Sequence, residues 1–253
     1  MSRVESLRAD IVRYSHRLHS NGWVANHDGN LTARLDDGKL LCTPTAVSKG
    51  DVQPSWLIVV DAEGRVVEGS RRAFSELQLH RAAYASRSDI SVVIHSHPPV
   101  CCGYAVSGVP LPYPLLAEPV VSLGPEIPMV PYYRTGDPQL AVAIGEALQR
   151  ADVVILERHG VLAVGGGFEQ AYLRMELLEH QAKIAMNAAQ IGQVRILPET
   201  EIQALSAKGR PPSFPARVIE ESAPNQAVAT APSRTLQPAQ VSTLVDQALK
   251  RFN

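Results

Sequence analysis

The chain has 253 residues, 45% of them hydrophobic, and its 24 basic and 25 acidic side chains leave a formal net charge of −1. That length suits one large α/β domain, or a domain with a small appendage. The balanced charge argues against the basic stripe of a nucleic-acid binder and against an acidic, solvating tail. No apolar run approaches the roughly 18 residues that span a bilayer, and the charged opening MSRVESLRADIVRYSHRL lacks the apolar core of a signal peptide. Cys42, Cys101 and Cys102 are odd in number and two are adjacent, which fits neither a disulfide framework nor a zinc ribbon. The expectation is a soluble protein of a reducing cytoplasm, bound to neither nucleic acid nor membrane.

Taken in chain order, Ser2 and Glu5 form a capping-box pair, and Val4, Leu7, Ile11, Tyr14 and Leu18 repeat at helical spacing until Gly22. Two hairpins follow: LTARLDDGKLLCTP turns at Asp37-Gly38, and WLIVVDAEGRVVEG turns at Glu63-Gly64. SELQLHRAAYASR reads as a helix with Ser75 as N-cap and Gln78 closing its box. The strand SVVIHSH comes next, then a helix over DPQLAVAIGEALQRA. DVVILERHGVLAVG gives two short strands joined through Arg158-His159-Gly160, and FEQAYLRMELLEHQAKIAMNAAQIG a long, closely packed helix. From about Gly209 proline, serine and alanine dominate, which predicts a domain over 1–208 and a tail over 209–253. That tail ends in an amphipathic helix bearing Val241, Leu244, Val245, Ala248 and Phe252. Strands alternate with helices, yet the hairpins argue against a purely parallel sheet, so a mixed sheet with helices on both faces is expected.

The strand ending in His95 and His97 carries the chemistry. Residues i and i+2 of a strand point to one face, so these two imidazoles lie side by side with room for one ion. Neutral imidazole is a good ligand for zinc and its neighbours. His159 is the best third arm, since it precedes Gly160, where backbone can crowd a bound ion. Three protein ligands leave a coordination position open, as catalytic metals require. An isolated H-x-H is ordinarily just a pair of hydrogen-bonded surface groups, and a carboxylate such as Glu76 at a helix start ordinarily just complements the helix dipole. The set has meaning only as a whole.

As a whole, GNLTAR (Gly29 to Arg34), TPTAVSKGDV, FSELQLHRAAYASRSDISVVIHSHPP and ILERHGVLAVG resemble, in order and spacing, the class II aldolase/adducin family, and within it the L-fuculose-phosphate aldolase-like bacterial enzymes. The resemblance spans about Val4 to Gly192, and its S-E-x-x-x-H, H-x-H-P, H-G signature is specific. It implies a three-layer αβα fold around a mixed, largely antiparallel sheet. It also implies a divalent metal, zinc or else manganese or cobalt, on His95, His97 and His159, with Glu76 as catalytic acid/base. The implied reaction is a metal-dependent retro-aldol cleavage of a ketose phosphate or related hydroxyketone through an enediolate, for which Glu76 needs a pKa raised towards neutrality. Decarboxylation or dehydration by the same metal chemistry is the alternative. A non-catalytic adducin-like module predicts lost ligands, and none is lost here.

The resemblance further places the phosphate pocket at Gly29, Asn30, Thr45 and Ser75, and a helix starting near Ser75 would offer free N–H groups to an anion. It implies a homotetramer with the tail contributing to the assembly. Three positions depart from the family pattern: Ala46 replaces a usual glycine, Phe74 stands where a second serine is common, and Ala117 or Glu118, not Tyr113, falls opposite the proton-donor tyrosine. Weaker selection for phosphorylated substrates than in a fuculose-phosphate aldolase is therefore expected, with Phe74→Ser partly restoring it through an added pocket donor.

Overall fold

The capping box predicted from Ser2 and Glu5 is formed at the start of α1 (Arg3–Ser20). The Ser2 hydroxyl accepts from the Glu5 N–H, and the Glu5 carboxylate accepts from the Ser2 N–H. The computed structural model describes residues 2–134 and 136–209. The expected tail and its terminal helix lie outside the described residues.

The two hairpins supply β1 (Asn30–Arg34) with β2 (Leu40–Cys42), and β3 (Ile58–Val60) with β4 (Val66–Glu68). Further on come α2 (Leu77–Ser86), β5 (Val92–Ser96), α3 (Pro99–Ser107), α4 (Ala117–Leu123) and β6 (Met129–Val130). The series ends with α5 (Pro138–Leu148), β7 (Val153–Leu156), β8 (Val161–Gly165), α6 (Phe168–Ile191) and α7 (Glu199–Ser206). The strands form one sheet in the order β4-β3-β2-β1-β5-β8-β7-β6, antiparallel throughout except where β6 meets β7.

Strand periodicity sorts the side chains into two cores. Leu31 and Ala33 of β1, Val92 and Ile94 of β5, and Val161 and Ala163 of β8 face α1, α3 and α6, where they meet Ile11, Tyr14, Leu18, Cys101, Tyr172 and Met175. Val93, Leu162 and Val164 face the other way, against Leu79 and Ala83 of α2 and Leu140, Ile144 and Leu148 of α5. The result is the expected three-layer αβα arrangement. α4 and α7 pack together beside α6.

One expected feature is corrected. α2 begins at Leu77 with Glu76 as its N-cap, and no side chain there makes a capping hydrogen bond. Ser75 is exposed, and the Gln78 amide nitrogen has no hydrogen-bond partner among the described residues. The Glu76 carboxylate reaches instead towards the histidines described below.

A buried ion cluster pins the layers. Asp152, just before β7, accepts from Arg87 at the end of α2 (3.0 Å) and from Arg174 of α6 (2.7 Å), and Asp152 and Arg87 are both buried. Removing the shared anion takes one buried ion-pair partner from each of two guanidinium groups, Arg87 keeping Asp89, so Asp152→Ala is expected to lose about 3 kcal/mol. Urea denaturation of the variant measures this directly.

Candidate active site

β5 delivers His95, and the extended chain beyond it delivers His97; the turn between β7 and β8 delivers His159. One ligand atom from each of the three lies within 4.8 Å of the others. The turn fits only because residue 160 is glycine: a Cβ there would stand 2.5 Å from the His97 ring and 2.6 Å from the Ser96 carbonyl oxygen. Arg158, in the left-handed region at φ 56, is held by its N–H donating to the Ala105 carbonyl at 2.9 Å. Behind His97, the buried Glu179 carboxylate accepts from the Val100 and Cys101 N–H groups, satisfying the first turn of α3.

Hydrogen-bond partners fix which nitrogens are bare. His95 Nδ1 sits 2.9 Å from the Val161 carbonyl oxygen, which can only accept, so Nδ1 carries the hydrogen. Burial holds the His95 pKa down at about 3, which keeps the ring neutral and leaves Nε2 with a lone pair. His97 Nδ1 faces the Asp28 carboxylate at 3.3 Å, and burial again lowers its pKa. Its Nε2 lies 3.1 Å from His95 Nε2. Two lone pairs facing each other this closely repel unless a cation draws on both. The carbonyl and carboxylate behind the rings are the usual supports of metal-binding imidazoles. The three histidines therefore fit a divalent ion, and an all-imidazole set suits zinc.

Glu76 closes the group. Its Oε1 is 2.7 Å from His159 Nε2 and its Oε2 is 3.6 Å from His95 Nε2, while the Asn30 amide donates to Oε2 at 2.8 Å. Burial, the largest influence, pushes its carboxyl up, but the hydrogen bonds from His159 and Asn30 and the charge interaction with His95 outweigh it. The net direction is below the ordinary carboxylate range, opposite to the expectation of a raised pKa. Beside Glu76 and His159 lies a small cavity of about 170 Å³, lined also by Tyr132, Tyr133 and Arg158. A wider groove of about 860 Å³ lies between α4 and α6; its lining includes Glu118 and none of the three histidines. Tyr113 donates its hydroxyl to the backbone of residues 119 and 124.

The other predicted residues gather around the same end of the sheet. Gly29, at φ 70, would place a Cβ 2.9 Å from the His95 carbonyl oxygen, so a glycine is needed beside β5. Thr45 donates its N–H to the Arg72 carbonyl (3.0 Å), which ties its loop to the segment leading into Ser75 and Glu76. Asn30 is buried, with its amide nitrogen on Glu76 and its oxygen on His80. Ala46 adopts φ 57, the conformation for which glycine is the unstrained residue.

Phe74 corrects an expectation. Its ring is buried among Leu40, Cys42, Ile58 and Val60 and meets the His80 ring edge-on at 5.2 Å, so it belongs to the core. Phe74→Ser is therefore expected to lose about 3 to 5 kcal/mol of stability, as ring deletions in cores do, without adding a pocket donor. A thermal melt beside the wild type decides between the two outcomes.

Three residues here were not singled out from sequence: Asp28, His80 in this role, and Lys49. The Lys49 ammonium is buried and donates to the carbonyls of His27 and Val47, both at 3.2 Å, joining the Gly29 turn to the Thr45 loop. Burial pulls its pKa down to about 8, against smaller opposing effects of Asp28 and Glu76. The unfolded chain keeps that proton to about pH 10. Between the two values unfolding takes up a proton, so stability rises with pH, by up to about 1.4 kcal/mol per unit. Lys49→Met should lack this slope in denaturation curves collected from about pH 8 to 10.

Comparison with known proteins agrees with the geometry. The family model described as Class II Aldolase and Adducin N-terminal domain matches residues 9–186. A 5-deoxy-D-ribulose 1-phosphate aldolase of Bacillus thuringiensis serovar kurstaki is 29% identical over 202 residues, covering 79% of this chain and 94% of that protein. A 3-oxo-tetronate 4-phosphate decarboxylase of Cupriavidus necator is 33% identical over 190 residues, covering 74% and 86%. The solved structure of an L-fuculose 1-phosphate aldolase superposes with a TM-score of 0.74 at 27% identity, covering 82% of this chain and 97% of that one.

Proposed function

The chain belongs to the class II aldolase and adducin N-terminal domain family, and on that premise we propose that it is a metal-dependent aldolase acting on a small phosphorylated keto compound. The observation that carries the reading is Glu76 Oε1 at 2.7 Å from His159 Nε2, at the edge of three converging imidazoles. His95, His97 and His159 would hold the ion, zinc being the best match to the donor set. When bound, a divalent ion supplies Lewis-acid polarisation of the substrate carbonyl.

The chain's own residues do the rest. On cleavage the bond between the α and β carbons breaks, the β-hydroxyl passes its proton to solvent water and becomes an aldehyde carbonyl, and the α carbon must gain a proton, which solvent restores to Glu76 for delivery. Glu76 delivers that proton, and in the reverse direction removes it. Engaging His159 Nε2 elsewhere takes one donor from Glu76 and leaves burial freer to raise its pKa towards the working range. Gly29, Thr45 and Ser75 contribute to the phosphate pocket, and the second N–H of the Asn30 amide completes the set.

Decarboxylation is the second reading, favoured by the relative at 33% identity. It asks the same thing of Glu76, since the α carbon again needs a proton once carbon dioxide has left. Zinc-loaded full-length protein is assayed with 5-deoxy-D-ribulose 1-phosphate and L-fuculose 1-phosphate for aldehyde, and with 3-oxo-tetronate 4-phosphate for carbon dioxide. Aldehyde release is expected. Carbon dioxide alone would give the decarboxylase reading, and neither product would defeat both. The homotetramer and cytoplasmic location that accompany this proposal are tested by sedimentation and by fractionation.

A further inference from the structure

His80 is fully buried on α2, one helical turn after Glu76, and is neither one of the three clustered histidines nor one of the residues that line the cavity. Its Nε2 lies 2.6 Å from Asn30 Oδ1, and its Nδ1 lies 2.8 Å from Thr32 Oγ1. Asn30 and Thr32 are alternate residues of β1, so both face α2, and the sheet register sets Asn30 directly beside His95.

The proton positions along this chain are determined by one end. The ionised Glu76 carboxylate can only accept, so the Asn30 group 2.8 Å from it must be the NH₂. The Asn30 oxygen then faces His80, which requires a hydrogen on Nε2. A neutral imidazole has one N–H, so Nδ1 is bare and the Thr32 hydroxyl donates to it. Burial, which holds the His80 pKa down at about 3, agrees with a neutral ring. An asparagine amide is nearly isosteric with its flipped form, so only its hydrogen-bond partners choose between the two orientations. With the flip, an oxygen would face the carboxylate and push it away.

We propose that His80 is a positioning residue: its Nε2–H fixes the orientation of the Asn30 amide, which in turn holds the Glu76 carboxylate at the edge of the histidine cluster. This rests on the role given to Glu76 above. The S-E-x-x-x-H spacing is then explained by a helix turn, because a residue four beyond Glu76 reaches the same side of α2 and can meet the asparagine that Glu76 uses.

The test uses the zinc-loaded full-length protein. In the wild type, the nitrogen-15 shifts of the His80 ring, assigned by their absence from His80→Gln, should show a protonated Nε2 and a bare Nδ1. A protonated Nδ1 would overturn the proposal whatever the activity data say. His80→Leu fills similar space without polar atoms and should lower kcat by about tenfold to a hundredfold, with zinc content near the wild-type value. His80→Gln, which restores a donor to Asn30, should recover most of that loss. Wild-type kcat in a folded His80→Leu, or a folded His80→Gln no better than His80→Leu, would also overturn it. If His80→Leu fails to fold, the ring nitrogen shifts still decide. Full turnover in Glu76→Gln would instead overturn the acid/base assignment, leaving the His80 tautomer to be judged separately.

Discussion

Glu76→Gln is expected to lower turnover by about two to four orders of magnitude while the protein keeps its metal. The substitution preserves shape and leaves Asn30 and His159 a polar neighbour, but it removes the group that carries the proton to and from the α carbon. Three histidines still supply the ligand set, so metal content by mass spectrometry should be unchanged. Near-normal turnover would assign proton transfer to another residue. A parallel loss of metal would make Glu76 a ligand as well.

His159→Ala should behave in the opposite way, losing metal first and activity as a consequence. With one of three arms gone, His95 and His97 remain as a two-point chelate. Loss of a supporting hydrogen bond behind a ligand commonly weakens metal binding by about ten- to a hundredfold, and loss of a ligand should exceed that. His95→Ala and His97→Ala are expected to match it, since each leaves two nitrogens. Full metal occupancy in His159→Ala, titrated against a competing chelator, would remove His159 from the site.

Much of this was legible because the signals are local or periodic. The Ser2 cap, the turns at Asp37-Gly38 and Glu63-Gly64, and the alternating faces of β5 follow from the conformations of a few neighbouring residues. The histidine cluster was legible for a related reason: strand period fixes His95 beside His97, and a glycine after His159 marks close approach. The start of α2 was misread because Ser75 is a good cap in isolation, whereas the chain there is oriented by Glu76 meeting residues from β1 and the β7–β8 turn. Phe74 was misplaced for want of its partners on β2 and β3, which the strand pairing alone brings near. Lys49 reads as a solvated lysine until the Gly29 turn folds over it. The role of His80 depends on Asn30, fifty positions away in the chain, and only sheet register sets them together.

The two-core sheet has a consequence for how such a protein can change over generations. On β1 the odd positions pack the α1, α3 and α6 side, and the even positions Asn30 and Thr32 serve the chemistry. Deleting one residue from β1 would exchange the two sets, driving polar groups into an oily layer and apolar ones towards the carboxylate. The turn between β1 and β2, exposed at Asp36, Asp37 and Gly38, has no such parity to protect. Length variation among descendants of this sequence should therefore accumulate at that turn and be purged from the strand. The reading frame of the side chains, more than the identity of any one of them, is what selection has to guard there.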